Sequence, residues 1–491
     1  MSQHRPLATD RPVLVWLRDD LRLADNPALH HASESGRPIV VLWVLDEASP
    51  GLGVIGGAAR WWLHRSLDAL SADLRAVGID PVLRRGPASE VVTAVAAEID
   101  AASVVWNRRY LPAMVEIDTE IKARLRAQGR EVRSFQGSLL HEPHAVRTGG
   151  GGPFRVFTPF WRACLSAGTL RPPLPRPTAL RPWDRAIASL PLDAFDLLPR
   201  RPYWAAGLDA TWRPGEAGAE ARLVRFLDEG LATYAAERDR PDLDVCSRLS
   251  PHLGHGEISP FRVVAAVAER VAADARLTAS ADKFLAEVGW REFAHHLSFH
   301  FGDLSTRNFQ PRFDAFPWVR DEALLTAWQR GRTGYPLVDA GMRELWATGG
   351  MHNRVRMVVA SFLTKHGLVD WREGERWFRD TLVDACPAVN PASWQWVAGS
   401  GADAAPYFRI FNPVAQSEKF DPEGVYLRRW VPELAGLPAK YLHAPWTAPK
   451  AVLSAAGVDI GRTYPVPIVD HGRARERALA AFAATGGGAA P

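Results

Sequence analysis

Ile39-Val-Val-Leu-Trp-Val-Leu45 is an unbroken run of seven apolar residues. A strand that is buried on both faces has this composition, whereas a strand with one solvent-exposed face alternates apolar and polar residues. Val13–Leu17 and Ser103–Trp106 have the same character, and helical periodicity over Ala58–Val77 and Glu90–Ile99 separates the three runs. This alternation of buried strands and helices predicts an α/β fold with a doubly wound parallel sheet.

The rest of the chain does not continue this pattern. With 491 residues the chain is long enough for more than one domain. We assign residues 1–135 to the α/β domain and residues 136–210, which are rich in glycine and proline, to a long connector with a short helix near Phe160–Leu165. Residues 211–480 have helical periodicity and form a predicted all-α domain, and residues 481–491 are predicted to be a flexible tail.

Composition limits the class of protein. Hydrophobic residues make up 47% and charged residues 23% of the chain, which is the balance of a soluble globular protein. No run of eighteen apolar residues and no apolar signal core is present, so we expect a cytoplasmic protein that does not span a membrane, and we expect a monomer. The three cysteines are far apart, which argues against a disulfide framework and a metal site. The net charge of +4 permits a surface that binds phosphate groups.

Four stretches of the helical half combine polar, aromatic and cationic residues. The first contains Tyr234 and Arg238 and continues into the turn Cys246-Ser-Arg-Leu-Ser250, which offers backbone N–H groups and hydroxyls to a phosphate. Most turns of this kind are simple helix caps, so this signal is weak alone. In the second stretch Glu287, Trp290 and Arg291 have the spacing that places them on one helix face. An exposed ion pair beside a core tryptophan would give the same pattern.

The third stretch is Met351-His-Asn-Arg-Val-Arg-Met357. Asn353, Arg356 and Met357 share one helix face, and Arg354 points elsewhere. Arginine forks beside an apolar segment indicate a bound phosphate or a buried carboxylate. The fourth stretch extends from Asp384 to Pro413 and mixes small residues with two tryptophans, which suits close approach of the backbone to a flat ligand.

At these stretches the sequence resembles the photolyase and cryptochrome family, most closely the bacterial cyclobutane-dimer photolyases of class I or III. The resemblance extends over nearly the whole chain. The matching motifs are Val15-Trp-Leu-Arg-Asp-Asp-Leu-Arg-Leu-Ala-Asp-Asn26, Val156-Phe-Thr-Pro-Phe160, Gly334-Tyr-Pro-Leu-Val-Asp339, the run from Trp371-Arg-Glu-Gly-Glu375 to Asn412, and Arg409-Ile-Phe-Asn-Pro413.

The resemblance implies that the helical domain binds FAD. It assigns to the cofactor a set of residues that matches the family's motifs: Tyr234, Cys246, Ser247, Arg248, Leu249, Ser250, Phe284, Arg291, Arg356, Asp384, Ala385, Cys386 and Asn390. Arg356 and Asp384 would pair beside the flavin ring, and Asn390 would lie near flavin N5. Plant-type cryptochromes have aspartate at this last position, and repair enzymes have asparagine.

The resemblance also implies a substrate, which is DNA that contains pyrimidine dimers. The residues that it assigns to the lesion and the DNA backbone are Arg238, Glu287, Trp290, Asn353, Arg354, Met357 and Trp396. Glu287, Asn353 and Asn390 would be the catalytic residues. The implied activity is that of a deoxyribodipyrimidine photo-lyase, in which an electron from photoexcited reduced FAD splits the dimer. Trp394, Trp371 and Trp318 match the family's chain of tryptophans that passes electrons to the flavin.

Two departures from the family's motifs leave questions open. Cys246 and Cys386 stand where many relatives have threonine and aspartate, and a thiol is a weak hydrogen-bond partner. Ala113-Met114 replaces the asparagine–glutamate pair with which one branch binds folate, so the antenna chromophore could be methenyltetrahydrofolate, 8-hydroxy-deazaflavin or absent. A cryptochrome-like photoreceptor without repair activity and a six-four photoproduct photolyase are the alternative functions.

Overall fold

The computed structural model describes residues 11–404 and 408–486. The chain divides into two compact units. The first unit extends to Ala232 and includes Ser247–Gly302, and the second comprises Thr233–Cys246 and resumes at Asp303. The domain boundaries at 135 and 210 remain predictions.

The first unit contains a parallel sheet of β1 (Val13–Leu17), β2 (Ile39–Leu45), β3 (Val82–Arg85), β4 (Ser103–Asn107) and β5 (Glu131–Phe135). The strand order is β3-β2-β1-β4-β5, and every pair is parallel. This confirms the predicted α/β class. The three predicted strands are β1, β2 and β4, and all residues of these strands are buried.

α-Helices alternate with the strands in the first unit and are also found in both units beyond the sheet. From the N-terminus they are α1 (Pro27–Glu34), α2 (Gly57–Ala76), α3 (Ala88–Glu98), α4 (Pro112–Ala127), α5 (Phe157–Ser166), α6 (Ala206–Thr211), α7 (Glu216–Arg225), α8 (Tyr234–Glu237), α9 (Ser250–Gly254), α10 (Pro260–Ala273) and α11 (Thr278–Phe301). They continue with α12 (Glu322–Gln329), α13 (Pro336–Thr348), α14 (Asn353–Ser361), α15 (Trp371–Thr381), α16 (Val389–Ala398), α17 (Pro413–Phe420), α18 (Val425–Trp430), α19 (Ala439–Leu442), α20 (Lys450–Ala455) and α21 (His471–Ala484). Short 3₁₀ turns lie at Leu192–Phe195, Ala275–Leu277, Pro311–Ala315, Pro432–Leu434 and Pro445–Thr447, and π-helical turns at Phe226–Gly230 and Phe362–His366.

The sheet is buried on both faces because helices pack on each side. On β1, Val15 belongs to the apolar cluster that contains Leu67 of α2, and Leu14 belongs to the cluster that contains Val92 of α3 and Ile121 of α4. Successive residues of the strand thus point into two different apolar clusters, and neither face of the strand is exposed to solvent. This explains the unbroken apolar runs in the sequence.

Arg22 fixes the segments around the sheet of the first unit. Its buried guanidinium donates to the carbonyl oxygens of Asp25, Gly256 and Gly137, at 2.8 to 3.1 Å. Gly256 has φ of +70°, and a Cβ there would lie 2.0 Å from the carbonyl oxygen of Asp19, so this position requires glycine. The N-terminal motif therefore holds the turn that follows α9.

The core of the second unit is built around α13 and α14. Asp339 of α13 is fully buried, and it accepts hydrogen bonds from the backbone N–H groups of Thr333 and Gly334 and from the Tyr464 hydroxyl. The Thr333 hydroxyl also donates to Asp339. The carboxyl thus accepts four hydrogen bonds, which compensate for its burial.

Two sequence predictions concern the C-terminal tail and the absence of a membrane-spanning helix. α21 ends at Ala484, so residues 481–484 of the predicted flexible tail are helical, and residues 487–491 lie outside the described residues. Within the described residues, no helix combines the length and the apolar character that crossing a membrane requires.

Candidate flavin and DNA site

The N-terminus of α14 brings several predicted site residues together in the second unit. Asn353 is exposed at its first position, and Arg354, Arg356 and Met357 follow within two turns. His352 caps this helix, because its Nδ1 accepts the backbone N–H of Arg354 at 3.2 Å. Burial lowers the pKa of His352 to about 4, so the imidazole is neutral near pH 7. Since Nδ1 accepts, Nε2 bears the proton.

Cys246 contacts this cap. Its Sγ lies 3.7 Å from His352 Nε2 and 3.7 Å from the carbonyl oxygen of Arg238. The thiol therefore accepts from the imidazole and donates to the carbonyl, which ties the end of α8 to the start of α14. Tyr234 of α8 is buried, and the Arg238 guanidinium lies 5.4 Å from the centre of its ring.

Arg356 and Asp384 form an ion pair in the second unit. The Arg356 Nη2 atom lies 3.0 Å from Asp384 Oδ2, and its Nε donates to the carbonyl oxygen of Met351 at 2.8 Å. The Asp384 side chain is 6% exposed, so its charge needs this partner. Asp384 begins a tight turn in which the Cys386 N–H donates to the Asp384 carbonyl, and Ala385 packs against the core of the unit.

Asn390 is held in one orientation. Its Nδ2 donates to the Glu375 carbonyl oxygen at 3.2 Å and to Glu375 Oε1 at 3.0 Å. Glu375 is buried and is held in turn by Arg379, whose Nη2 lies 2.6 Å from Glu375 Oε2. Because the amide nitrogen is bound to Glu375, the Asn390 oxygen is available as an acceptor on its other side.

Glu375 is a residue of this cluster that the sequence analysis did not assign to the site. The i, i+4 pair of Glu375 and Arg379 on α15 was visible in the sequence, but nothing there indicated that Asn390 would contact it.

The predicted tryptophan chain lies in the second unit. Trp394 and Trp371 are buried, and Trp318 is half-buried. The Trp394 ring packs edge-on against Phe378, with 4.9 Å between ring centres. Gly374 is required beside it, because a Cβ there would lie 2.1 Å from Trp394 Cη2. Exposure therefore increases from Trp371 and Trp394 to Trp318.

A basic groove of about 420 Å³ adjoins α14 in the second unit. Its polar lining consists of four cationic side chains, one carboxylate and one amide: Arg240, Arg354, Arg409, Lys419, Asp239 and Gln416. Arg240 and Arg354 pair with acidic residues, whereas Arg409 and Lys419 have no acidic partner among residues 11–404 and 408–486. Two buried polar atoms in the lining, Arg354 Nε and Gln416 Oε1, also have no hydrogen-bond partner among these residues. A phosphodiester group, whose oxygens accept hydrogen bonds, could pair with the Arg354 Nε–H and with the cations of Arg409 and Lys419.

Trp396 lies on α16 and is half-buried. Its Nε1 donates to the Asp403 carbonyl oxygen at 2.9 Å, which fixes the orientation of the indole.

The remaining predicted site residues lie in the first unit, four of them on α11 and four in the turn that leads into α9. Phe284 is buried against Phe226, and Glu287 is half-buried. The Trp290 ring stacks on Phe157, with 3.9 Å between ring centres and 9° between planes. The Arg291 Nη1 donates to the Ser138 carbonyl oxygen at 2.8 Å, a local partner that the sequence did not reveal.

The Ser247–Ser250 turn precedes α9 in the first unit. Arg248 has φ of +53°, in the left-handed region that non-glycine residues seldom adopt. The Ser247 hydroxyl accepts the Leu249 N–H at 3.4 Å, and Ser250 starts α9. The turn is therefore sharply bent, and its contact with a phosphate stays a prediction.

The cluster on α14 and α16 fits a flavin. α14 packs against α16, which brings the Arg356–Asp384 pair and the fixed Asn390 amide into one region of the second unit. A cation and an oriented acceptor are the groups that the polar edge of an isoalloxazine ring requires.

The comparisons with known proteins agree with this fit. Residues 284–484 match the family described as the FAD binding domain of DNA photolyase, and residues 13–178 match the family described as DNA photolyase. The chain belongs to the photolyase and cryptochrome family.

Individual members of the family differ in their similarity to this chain. The chain is 52% identical to a deoxyribodipyrimidine photo-lyase of Agrobacterium fabrum, over 96% of this chain and 98% of the relative. It is 38% identical to cryptochrome-2 of Arabidopsis thaliana, over 97% of this chain and 79% of the relative. Among solved structures it resembles a bacterial class III photolyase from Agrobacterium tumefaciens, with a TM-score of 0.94, 50% identity, and coverage of 99% of this chain and 100% of the other.

Proposed function

We propose that this chain binds FAD and uses light to split cyclobutane pyrimidine dimers in DNA. The observation that carries the proposal is the composition of α14. Within five residues it presents Asn353 and Met357, which the family uses for the lesion, and Arg356, which pairs with Asp384 in the manner of a flavin site. The similarity to a deoxyribodipyrimidine photo-lyase over the whole length of the chain supports the same activity.

The residues act by binding and orienting. Reduced FAD, when bound and excited by light, supplies the electron that opens the cyclobutane ring and takes it back afterwards. Arg356 and Asp384 hold the flavin, and Asn390 offers its oxygen to a flavin N–H because Glu375 occupies its nitrogen. Asn353 hydrogen-bonds the carbonyl edge of the dimer.

Further roles rest on the resemblance. Glu287 and Trp290 of the first unit, and Trp396 of the second, are assigned to the lesion. Arg238 and Arg354 are assigned to the DNA backbone. Tyr234, Ser247–Ser250, Phe284 and Arg291 are assigned to FAD, in addition to the residues above. A cytoplasmic, monomeric protein is part of the same proposal.

The basic groove is assigned to binding of the DNA backbone. Arg409 and Lys419 supply cations that no acidic side chain among the described residues neutralises, and Arg354 Nε is a donor with no protein partner among these residues. Such groups favour a phosphodiester over a neutral ligand.

The test is repair of an oligonucleotide that contains one thymine dimer, with purified protein whose flavin has been chemically reduced. Under blue light we expect the ultraviolet absorbance of the bases to return, and in the dark we expect no change. Repair of a six-four photoproduct in place of the dimer, or no repair by protein that holds reduced FAD, would contradict the proposal.

Trp394→Phe serves as the matched variant. It interrupts the predicted electron chain, so photoreduction of oxidised flavin should be lost, while repair by the chemically reduced protein should persist because that reaction does not use the tryptophans. Loss of both would mean that Trp394 has a different role.

A further inference from the structure

The indole nitrogen of Trp371 has a partner that the other two tryptophans of the predicted chain lack. Trp371 is fully buried, and its Nε1–H donates to Asn308 Oδ1 at 2.9 Å. The Nε1 atoms of Trp394 and Trp318 are buried and have no hydrogen-bond partner among residues 11–404 and 408–486. The middle tryptophan is thus set apart by one hydrogen bond.

Asn308 is itself fixed by a carboxylate. It is 8% exposed, and its Nδ2 donates to Asp314 Oδ1 at 2.7 Å. This bond determines the orientation of the amide, because a flipped amide would place its oxygen against the carboxylate of Asp314 and its nitrogen against the N–H of Trp371. The exposed Asp314 therefore polarises the amide, and Asn308 Oδ1 presents more negative charge to the indole.

An acceptor at Nε1 affects the two oxidation states of an indole unequally. Removal of one electron gives a radical cation, whose N–H is more positive than that of the neutral ring. Hydrogen bonds to charged groups are stronger than those between neutral groups, so the acceptor stabilises the oxidised ring more. The proton stays on Nε1, because an amide oxygen is a very weak base.

We propose that Asn308 and Asp314 are positioning residues that make Trp371 easier to oxidise than Trp394. The step is the transfer of one electron from neutral Trp371 to the Trp394 radical cation, in which Trp371 is oxidised, Trp394 is reduced and no bond to hydrogen breaks. The inference rests on the proposed function, since it takes the tryptophans as the route by which electrons reach the flavin.

One nearby cation opposes this effect. The Arg372 guanidinium lies 4.8 Å from the centre of the Trp371 ring, and positive charge there disfavours a radical cation. The Arg372 Nη1 atom is 3.0 Å from Asp370 Oδ2, and this carboxylate offsets the field of Arg372 at the ring. Removal of Arg372 should therefore act in the direction opposite to removal of Asn308, which provides a matched control.

The experiment is flash photolysis of the FAD-bound, oxidised protein that carries Trp318→Phe, so that the electron vacancy is shared between Trp394 and Trp371 only. Recombination occurs from Trp394, and its rate follows the fraction of vacancies on that residue. We expect Asn308→Leu to shorten the lifetime of the charge-separated state about tenfold, which corresponds to about 1.4 kcal/mol. Asp314→Asn keeps a side chain of the same shape without the charge and should shorten it about threefold, and Arg372→Gln should lengthen it.

A second readout does not depend on flavin chemistry. In ¹⁵N-labelled protein, the indole N–H resonance of Trp371, assigned from its absence in Trp371→Phe, should move upfield in Asn308→Leu. A lifetime unchanged in Asn308→Leu despite this shift would overturn the inference. If Asn308→Leu does not fold, Asp314→Asn on the exposed side provides the same test, and an unchanged lifetime there would equally overturn it.

Failure of the proposed function would appear as absent dimer repair by the chemically reduced parent protein, and failure of the electron route can be recognised separately. Photoreduction that persists unchanged in Trp371→Phe would remove the electron route itself, and with it the inference. Repair by chemically reduced Asn308→Leu should equal that of the parent protein, because repair does not use the tryptophans. A loss of that repair would show that the substitution disturbs the whole unit, which contradicts a role confined to Trp371.

Discussion

Replacement of Glu292 by glutamine should stabilise the protein at neutral and alkaline pH. Glu292 lies on α11, and its side chain is 1% exposed. Burial raises the pKa of Glu292 from 4.5 to about 7, despite the nearby Arg291 guanidinium and the backbone N–H of His141, which favour the ionised form. Ionisation of this carboxyl therefore conflicts with its buried surroundings.

The pH dependence follows from the direction of the shift. Below pH 4.5 the folded and unfolded chains both hold the proton, so Glu292 contributes its full stability. Between 4.5 and about 7 the unfolded chain ionises while the folded chain does not, so the free energy of unfolding falls as pH rises. Above about pH 7 the loss is complete, and at 1.36 kcal/mol per pH unit it amounts to about 3 kcal/mol.

The assay is urea unfolding of the wild type and of Glu292→Gln across this range. A neutral amide resembles the protonated carboxyl, so the two proteins should be equally stable at about pH 4 and differ by about 3 kcal/mol at about pH 8. The difference between the two removes the contributions of all other titrating groups. A difference that stays constant from about pH 4 to about pH 8 would refute the reasoning.

Three further predictions concern the candidate site. Asn390→Asp places a second carboxylate against Glu375, so it should destabilise the protein by about 1–3 kcal/mol in urea unfolding and change the flavin absorption during photoreduction; unchanged spectra would contradict the assignment of Asn390. Cys246→Ala removes the contacts with His352 and with the Arg238 carbonyl, and because thiol hydrogen bonds are weak, it should lower the free energy of unfolding by less than about 1.5 kcal/mol. Lys419→Ala should reduce the slope of log affinity for duplex DNA against log salt by about 0.9; an unchanged slope would remove Lys419 from the DNA interface.

The parts of the fold that could be predicted from the sequence are those in which local pattern and burial agree. β1, β2 and β4 are buried on both faces and read as apolar runs. β3 and β5 were not predicted, because they are the edge strands and contain charged residues. Arg84 and Arg85 end β3, and Glu131 and Arg133 occupy exposed positions of β5. At an edge, pairing with a single neighbour determines the strand, and this pairing is not local in the sequence.

The same limit applies to the site. The spacing of Asn353, Arg356 and Met357 placed them on one helix face, because helical periodicity is local. Their partners come from elsewhere: Asp384 reaches Arg356 from the turn before α16, and Glu375 reaches Asn390 from α15. Contacts between separate helices depend on tertiary packing, and only the resemblance to a family indicated the first of them.

Cys246 shows how a departure from the family pattern can fit its surroundings. Its Sγ bridges the Arg238 carbonyl and His352 Nε2 at 3.7 Å each, distances that suit sulfur and exceed the reach of a hydroxyl, which is about 2.8 Å. Both partners lie at the ends of elements that bear predicted site residues, α8 and α14. The thiol therefore acts on the placement of these helices, and this geometry favours the backbone of Cys246 over its side chain for any contact with a phosphate.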